Sequence, residues 1–591
     1  MNNKSSRDDS GDFTHPQALN LPRVPPPVDG IDVNHCKNPR CPSFGRPVAS
    51  TASRGPGAKN SHTIVAYGKD QPAARCNACG THFPLKSNLG VSDELRRMLA
   101  VFRTEEPSCP DPACSNHDVP VSAGKASYSS FGKTAVGSPR WKCKACGKTF
   151  SSAKRAIHRQ RDSHKNRDIL KALMNQTPLR RVCESMEINP NTLYQRIGFF
   201  HRQAVSFAAS REARLTGKSF DRLYLSVDRQ DHVVNWTDRE HKKNTVVSAL
   251  TTADNSTGYV FACHLNFDPS MDPGRAEQES IAAGDPWIPP PHRLHARVWT
   301  SLDHDSARRA KVRRDGTLDG EIGATYSEAL LRDDIETPDL PGKDDKLPDD
   351  GMLVHSEYTM HGHFRYLRRL FGNVGKYRFF LDQDSGLRAA CLSAFADLVE
   401  DRTCDAFYVR ISKDLTVDEK RKLKAKAAAE LAKRMKATGK DEREVRLEML
   451  LERVAEARKL GPFGDEWVFL PFPDMSEPEK AVCPLTPLDT MDDGHVAHLL
   501  GNATLHAVDS FFNRTRRRVS LLERPLRTSS NEGRVWSAYS AYSPLRVQQM
   551  LDIFRAIHNF VLVGEDKKTP AMRLGLAKGP VDYEDIIYFQ G

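Results

Sequence analysis

Apolar residues recur along this chain at two different spacings. Between Asp168 and His201 the spacing is helical: Ile169, Leu170, Leu173 and Met174 share one face. Thr177-Pro178 and Asn189-Pro190 each set an N-cap before a Pro at the first helical position, opening Leu179–Met186 and Asn191–Phe200. Two short helices around the break Glu187-Ile188-Asn189 match a helix-turn-helix plan. From Arg222 the texture turns to strand. Leu223–Asp228, Thr245–Leu250 and Tyr259–Leu265, with a turn at Asp254–Gly258, predict a three-stranded meander whose first strand closes on an acid.

The stretch 269–350 is rich in Pro, Asp and Arg, has little periodicity and reads as an insertion. Order returns at Met352–His355 with a basic helix over Gly362–Phe371. The strand Tyr377–Asp382, the helix Leu387–Val399 and the strand Asp405–Ile411 then form a βαβ-like segment. A capping box, Thr416-x-x-Glu419, opens a second insertion. Its two charged helices, Val417–Ala437 and Asp441–Leu460, predict an exposed hairpin. After a Pro-rich return, Val496–Leu522 reads as mostly helical and Pro544–Val563 as a last amphipathic helix.

Eight of the thirteen cysteines fall into one pattern written twice. Cys36-x4-Cys41 is followed by Cys76-x2-Cys79, and Cys109-x4-Cys114 by Cys143-x2-Cys146. Arg75–Gly80 answers to Lys142–Gly147, and Phe83 to Phe150. Two close pairs of thiolates make a closed tetrahedral site, which suits structural zinc, so the pattern predicts two zinc ribbons. The polar loops between the pairs bury little, so metal binding has to supply folding energy.

At 591 residues the chain holds several domains. Its net charge of +11 favours a polyanionic partner. Met1–Asp12 lacks the apolar core of a secretory leader, and no apolar run approaches a membrane span. The expectation is a soluble cytoplasmic protein with no membrane partner. The basic stretch Lys154–Arg161 is a candidate phosphate-contacting arm. In the helix-turn-helix, Asn191, Thr192, Gln195 and Arg196 are candidates to reach base edges or phosphates. Arg514, Arg516, Arg517 and Arg518 are candidates for phosphate contacts.

Three acids stand where two-ion phosphoryl-transfer chemistry needs them. Asp228 and Asp382 end predicted strands, and Asp509 lies in a helical segment. Carboxylates suit Mg²⁺, and two such ions activate a water or a 3′-hydroxyl and stabilise the leaving oxygen. Acids at strand ends also serve as turn and cap residues.

The order of zinc ribbon, helix-turn-helix, two Asp-ended strands and an acid on a basic helix resembles bacterial insertion-sequence transposases of the DDE type. Leu223–Asp228 resembles the segment of the family's first acid, Phe380–Leu387 the second, and Leu505–Asp509 with Asn513–Arg517 the third. Lys568–Arg573 resembles the phrase that closes such domains. The third acid is Asp where the family usually has Glu, and His506 stands where many relatives carry Asn. Glu523 is the runner-up third ligand and Asp384 the runner-up second.

The resemblance implies a multidomain α/β chain with a ribonuclease-H-like mixed sheet and helical insertions. Its expected parts are a disordered tail at 1–30, ribbons at 31–90 and 105–153, and a helix-turn-helix at 160–212. A catalytic domain at 218–565 follows, with insertions at about 269–350 and 414–490, then a tail at 566–591. The implied activity is DNA transposition in a bacterial, nucleoid-associated setting. Two structural Zn²⁺ and a pair of catalytic Mg²⁺ are the implied metals. Element ends and target DNA are the implied partners, with a homodimer or higher oligomer on DNA. The rival expectations are a non-catalytic DNA-binding regulator and a nuclease on the same core.

Overall fold

A computed structural model describes residues 21–51, 60–67, 71–102, 107–117, 119–134, 138–151, 160–237, 242–307, 345–412, 415–460, 464–524 and 535–589, with Ile157, Glu240 and Pro341. The chain is mixed α/β. Two small antiparallel sheets come first. One is β1 (His62–Tyr67), β2 (Gln71–Cys76) and β3 (His82–Pro84). Then comes α1 (Asn88–Leu99), which opens on Ser87, whose side chain accepts from Gly90 N. The other sheet is β4 (Tyr128–Lys133), β5 (Pro139–Cys143) and β6 (Thr149–Ser151). The expected tail is described only from Leu21, and there Asn88 Nδ2 donates to the carbonyls of Pro25 and Pro26.

Helices α2 (Asn166–Leu173), α3 (Leu179–Met186) and α4 (Pro190–Glu212) follow. The positive φ of Glu187 ends α3, and the Asn189 side chain caps α4 by accepting from Thr192 N. Helix α4 runs well past Phe200, because Ala204, Phe207 and Ala208 continue its buried face. Most of the basic stretch 154–161 lies outside the described residues.

The centre of the molecule is an eight-stranded mixed sheet. It begins with the antiparallel meander β7 (Ser219–Val234), β8 (Thr245–Asp254) and β9 (Val260–Leu265). The short pair β10 (Phe267–Asp268) and β11 (Met352–Leu353) brackets the first interruption. Within it lie α5 (Pro273–Ala283) and α6 (Ser301–Ala307), and residues 308–340 are outside the described set. Next come α7 (Ser356–Leu370), β12 (Asn373–Asp382), α8 (Ser385–Ala394), α9 (Ala396–Glu400) and β13 (Cys404–Ile411). Strand β12 pairs in parallel with both β7 and β13, as a helical crossover requires.

The charged hairpin is α10 (Val417–Thr438) and α11 (Glu442–Ala455). The chain then returns through β14 (Arg458–Leu460), β15 (Asp465–Phe469) and β16 (Lys480–Pro484). The sheet order is β14-β15-β16-β13-β12-β7-β8-β9. Last come α12 (Asp493–Gly501), α13 (His506–Arg518), α14 (Pro544–Phe560), α15 (Pro570–Leu574) and α16 (Tyr583–Ile587).

The structure corrects three sequence expectations. Strand β7 does not close on Asp228 but continues to Val234, because β8 pairs with it as far as Val234 opposite Thr245. The second interruption is not wholly an appendage, since β15 and β16 extend the main sheet beside β13. Arg458–Leu460 is a strand, not the end of a helix. One continuous apolar cluster joins the sheet to α1, α4, α7, α8, α13 and α14. Across it, Arg555 of α14 donates to Glu212 of α4 at 2.6 Å, and the Tyr259 hydroxyl donates to the same carboxylate at 2.8 Å. That buried network locks the end of α4 onto the meander.

Candidate metal centres and carboxylate cluster

Each cysteine quartet is built from two turns brought together by a three-stranded sheet. In the first, Cys41 N donates to Asn38 O and Phe44 N to Cys41 O. In the second, Cys114 N donates to Asp111 O and His117 N to Cys114 O. The Cys-x2-Cys turns also match. Gly80 N donates to Cys76 O at 2.8 Å and Gly147 N to Cys143 O at 2.9 Å, at φ values of +74° and +75°. A side chain is strained at that φ, which is why both turns end in Gly.

Within each quartet the ligand atoms all lie within 4.8 Å of one another. Cys36 and Cys79 sulfurs are 3.7 Å apart, as are those of Cys41 and Cys76. Cys109 and Cys146 sulfurs are 3.4 Å apart, and Cys114 and Cys143 sulfurs 3.7 Å. Zn–S bonds of about 2.3 Å in a tetrahedron give sulfur–sulfur edges of about 3.8 Å. A disulfide needs about 2.05 Å, and all eight cysteines are free thiols. The donor set therefore fits zinc, and both quartets can hold it.

Amide donors already face the sulfurs. Ser43 N donates to Cys41 Sγ at 3.4 Å, and Asn116 Nδ2 to Cys143 Sγ at 3.4 Å. Burial raises the Cys143 thiol, but the amide of Cys146 and the Asn116 side chain outweigh it and bring the thiol down to about 6. Burial likewise opposes ionisation of Cys79, and the hydroxyl and amide of Thr81 bring it down to about 7. One thiol of each quartet is favoured as a thiolate this way, while burial pushes Cys41 up to about 11 and Cys109 up to about 12, a shift that a bound cation reverses.

Asp228 and Asp382 come from neighbouring parallel strands. The last β7–β12 partners are Val227 and Leu381, so the two acids follow side by side just where the pairing stops. Asp228 is 4% exposed, and Asp382 is half-buried at the end of β12. Asp228 stands opposite Thr251, while the adjacent Val227–Thr252 pair faces the other way, where Thr252 Oγ1 meets His363 of α7 at 2.6 Å. Asp509 sits in the first turn of α13, which packs against β7 and β8. The half-buried Arg516, two turns further along α13, lies in the fields of both Asp509 and Asp228. Desolvation and Arg524 lower its pKa, and the two carboxylates oppose them.

The runners-up are placed differently. Asp384 caps α8, accepting from Gly386 N at 2.7 Å and Leu387 N at 3.3 Å, with its other oxygen 3.7 Å from Arg229. Glu523 is exposed beyond a 3₁₀ turn. Asp228, Asp382 and Asp509 do not converge to a single point as the cysteines do. A two-ion site spreads its carboxylates around metals about 3.5–4 Å apart, so it does not require such convergence.

The basic residues divide into two kinds. Arg517 is exposed, but Arg518 donates to Asn175 Oδ1 at 3.3 Å, and its carbonyl accepts from Gln176 N, tying α13 to the loop before α3. Desolvation lowers the pKa of Arg514, helped by the positive charge of Arg518. In α4, Asn191 and Gln195 are exposed and Thr192 is half-buried. Arg196 is a correction: it is 6% exposed and its guanidinium donates to the Arg161 carbonyl. It braces the segment before α2 rather than presenting itself at the surface, because its position adjoins the buried face led by Leu193 and Ile197.

Two side chains escaped notice in the sequence. Gln230 and His232 follow Asp228 at the strand period of two, on the same face of β7. They are 4% and 6% exposed, and both Gln230 amide atoms and His232 Nε2 lack partners among the described residues. Burial pushes the His232 imidazole down to about 4, Asp231 opposing and Arg516 and Arg524 assisting. Residues 228–232 are polar at every position, so no alternation in the sequence marks the continuation of β7; the pairing with β8 does.

Among the described residues no helix is long and apolar enough to cross a membrane. Comparison of the chain with family models, curated proteins and solved structures finds no match.

Proposed function

We propose that this chain is a DNA transposase of the DDE type, acting by metal-dependent phosphoryl transfer. The observation that carries the reading is the placement of Asp228, within β7, and Asp382, at the end of β12, side by side just past the last parallel β7–β12 pair, with the α13 segment that carries Asp509 packed against β7 and β8. An antiparallel meander joined to two parallel crossover strands is consistent with a ribonuclease-H-like core. The acids would hold Mg²⁺, which when bound supplies Lewis-acid stabilisation of charge on the reacting phosphate and lowers the pKa of an attacking water. The protein's own part is to fix three carboxylates on rigid elements. Arg516 stands by as a cation for phosphate oxygens. The quartets hold zinc, and the ribbons together with the exposed Asn191 and Gln195 of α4 grip duplex DNA at the element's ends. Arg514 and Arg517 meet its phosphates. Bringing two ends together requires at least two copies of the chain.

The test uses labelled duplexes carrying the DNA that flanks this chain's own gene, with Mg²⁺ or Mn²⁺. Cleavage followed by joining of the freed 3′ end to a second duplex is the expected result. Cleavage without joining would assign a nuclease, and binding without cleavage a regulator; either overturns the transposase reading.

A further inference from the structure

The charged hairpin has one face that internal pairing does not explain. Helix α10 packs on α11 through Leu431, with Val445 and Met449 buried and Met435 and Phe472 against them. At 100° per residue, Lys422, Lys426, Lys433 and Lys436 fall within an arc of about 80° on the side opposite Leu431. At 1.5 Å per residue the row is about 21 Å long. All four lysines are exposed, and between them the same side carries Ala425 and Ala429.

The acids of α10 are engaged elsewhere. Asp418 pairs with Arg421 at 3.4 Å, Glu419 closes the capping box on Thr416, and Glu430 pairs with Arg434 at 2.9 Å. Arg434 also reaches Glu452 of α11 at 2.7 Å, and Lys424 reaches Asp474 at 3.4 Å. The four lysines of the row have no ion pair among the described residues. The neighbouring helix is the contrast, since α11 matches Arg446 with Glu442, and Arg453 with Glu456 just beyond its end, both at 2.7 Å. Glu419 lies one turn from Lys422 and Glu430 one turn from Lys433, but neither closes an ion pair with the row, and Lys422–Lys426 and Lys433–Lys436 set like charges one turn apart, a repulsion that a polyanion offsets.

We propose that this lysine row is a sequence-independent docking surface for the phosphate backbone of duplex DNA, which makes the second insertion a clamp rather than a spacer. The inference rests on the DNA reading above. Lysines act as point charges on phosphate, and the row includes no Asn, Gln or Arg to read base edges. The alanines between them let the helix approach a backbone closely. A row of about 21 Å matches about six base pairs at 3.4 Å each.

The experiment compares the full chain with its Lys422→Gln/Lys426→Gln/Lys433→Gln/Lys436→Gln variant on a random-sequence duplex, measuring affinity between about 50 and 200 mM salt. Gln keeps the helix propensity and removes the charge. The expected result is a log–log salt slope shallower by about 3–4, at about 0.9 per lost phosphate contact, with zinc content and melting unchanged. The control variant Arg446→Gln/Arg453→Gln leaves the slope in place. If the wild-type chain binds DNA and the lysine variant shows the same slope, the docking surface is wrong and the DNA reading stands. If the wild-type chain binds no DNA, both fall. Loss of binding to anionic lipid vesicles, with DNA binding intact, would assign the row to a membrane surface and overturn it.

Discussion

The two ribbons share a ligand frame and differ in what surrounds it. The first is fused to the main body. Cys36, Cys41 and Cys76 pack in a small cluster of their own with Val24, Val48, Ala74, Phe83 and Leu85, but Ile31, Val33 and Phe44 belong to the central core, His35 Nε2 meets Ser393 Oγ at 3.0 Å, and Ser87 N donates to the Tyr358 hydroxyl. Helix α1, directly after it, carries Glu94, fully buried between Arg97 and Arg297. Arg97 in turn donates to the carbonyls of Leu265 and Phe267 at the end of the meander. The second ribbon closes on itself. Its apolar cluster is Cys109, Tyr128 and Cys143 with a few partly buried neighbours, separate from the core. The Tyr128 hydroxyl accepts from Cys109 N and lies 2.6 Å from the carbonyls of both Asn116 and Val119, all within that ribbon. One repeated sequence has thus yielded a structural brick and a self-contained module, and the difference lies in the flanks rather than in the cysteines.

The largest effect that tests this contrast is loss of a metal ligand. Structural zinc contributes about 10–16 kcal/mol of binding free energy to a small module. Cys76→Ser should lose one of two zinc ions and lower the main thermal transition, because Ile31, Val33 and Phe44 of that ribbon are part of the central core. Cys143→Ser should lose one zinc and leave the main transition in place. Zinc analysis with calorimetry on both variants decides it, and equal effects on the main transition break the comparison.

Next in size is the buried charge cluster. Glu94→Ala removes the carboxylate shared by Arg97 and Arg297, leaving Arg297 with Asp268 and Arg97 with backbone carbonyls, and should cost about 2–4 kcal/mol in a denaturant melt. The counterpart pair in the second ribbon joins an exposed Lys148 to a half-buried Asp111. Asp111→Ala should leave the main transition in place, as expected for a surface pair. A smaller effect sharpens how α1 docks. A Cβ at Gly362 would lie 2.9 Å from Glu94 Cγ and 3.2 Å from Met98 Sδ. Gly362→Ala should therefore cost about 1–3 kcal/mol through overpacking of the α1–α7 crossing, measured by the same melts.

Local chemistry was legible in the sequence wherever spacing dictates geometry. The cysteine pairs and the caps Asn189 and Thr416 appear where their residue types placed them, whereas α3 begins after Pro178 with no side-chain cap, so Thr177 does not cap it. Long-range consequences were not legible. Nothing in the polar run Asp228–His232 distinguishes a strand end from a strand whose buried face is polar, and only pairing with β8 settles it. The burial of Arg196 depends on the backbone of residue 161 lying against α4, a tertiary fact. The merging of β15 and β16 into the main sheet depends on an empty edge at β13, which no local pattern announces. For the acids, the sequence supplied candidates, and the parallel register of β7 and β12 made Asp228 and Asp382 neighbours.

The most direct test of the central claim is the rate of metal-dependent DNA cleavage by Asp228→Asn, Asp382→Asn and Asp509→Asn, each beside its DNA affinity and melting temperature. The amide keeps the side chain's shape and removes the charge that holds a hard cation. The account predicts that all three lose cleavage and joining by at least about a hundredfold while binding and melting stay at wild-type values. Loss in Glu523→Gln with Asp509→Asn still active would move the third ligand to Glu523. Cleavage at the wild-type rate by all three Asn variants would contradict the account.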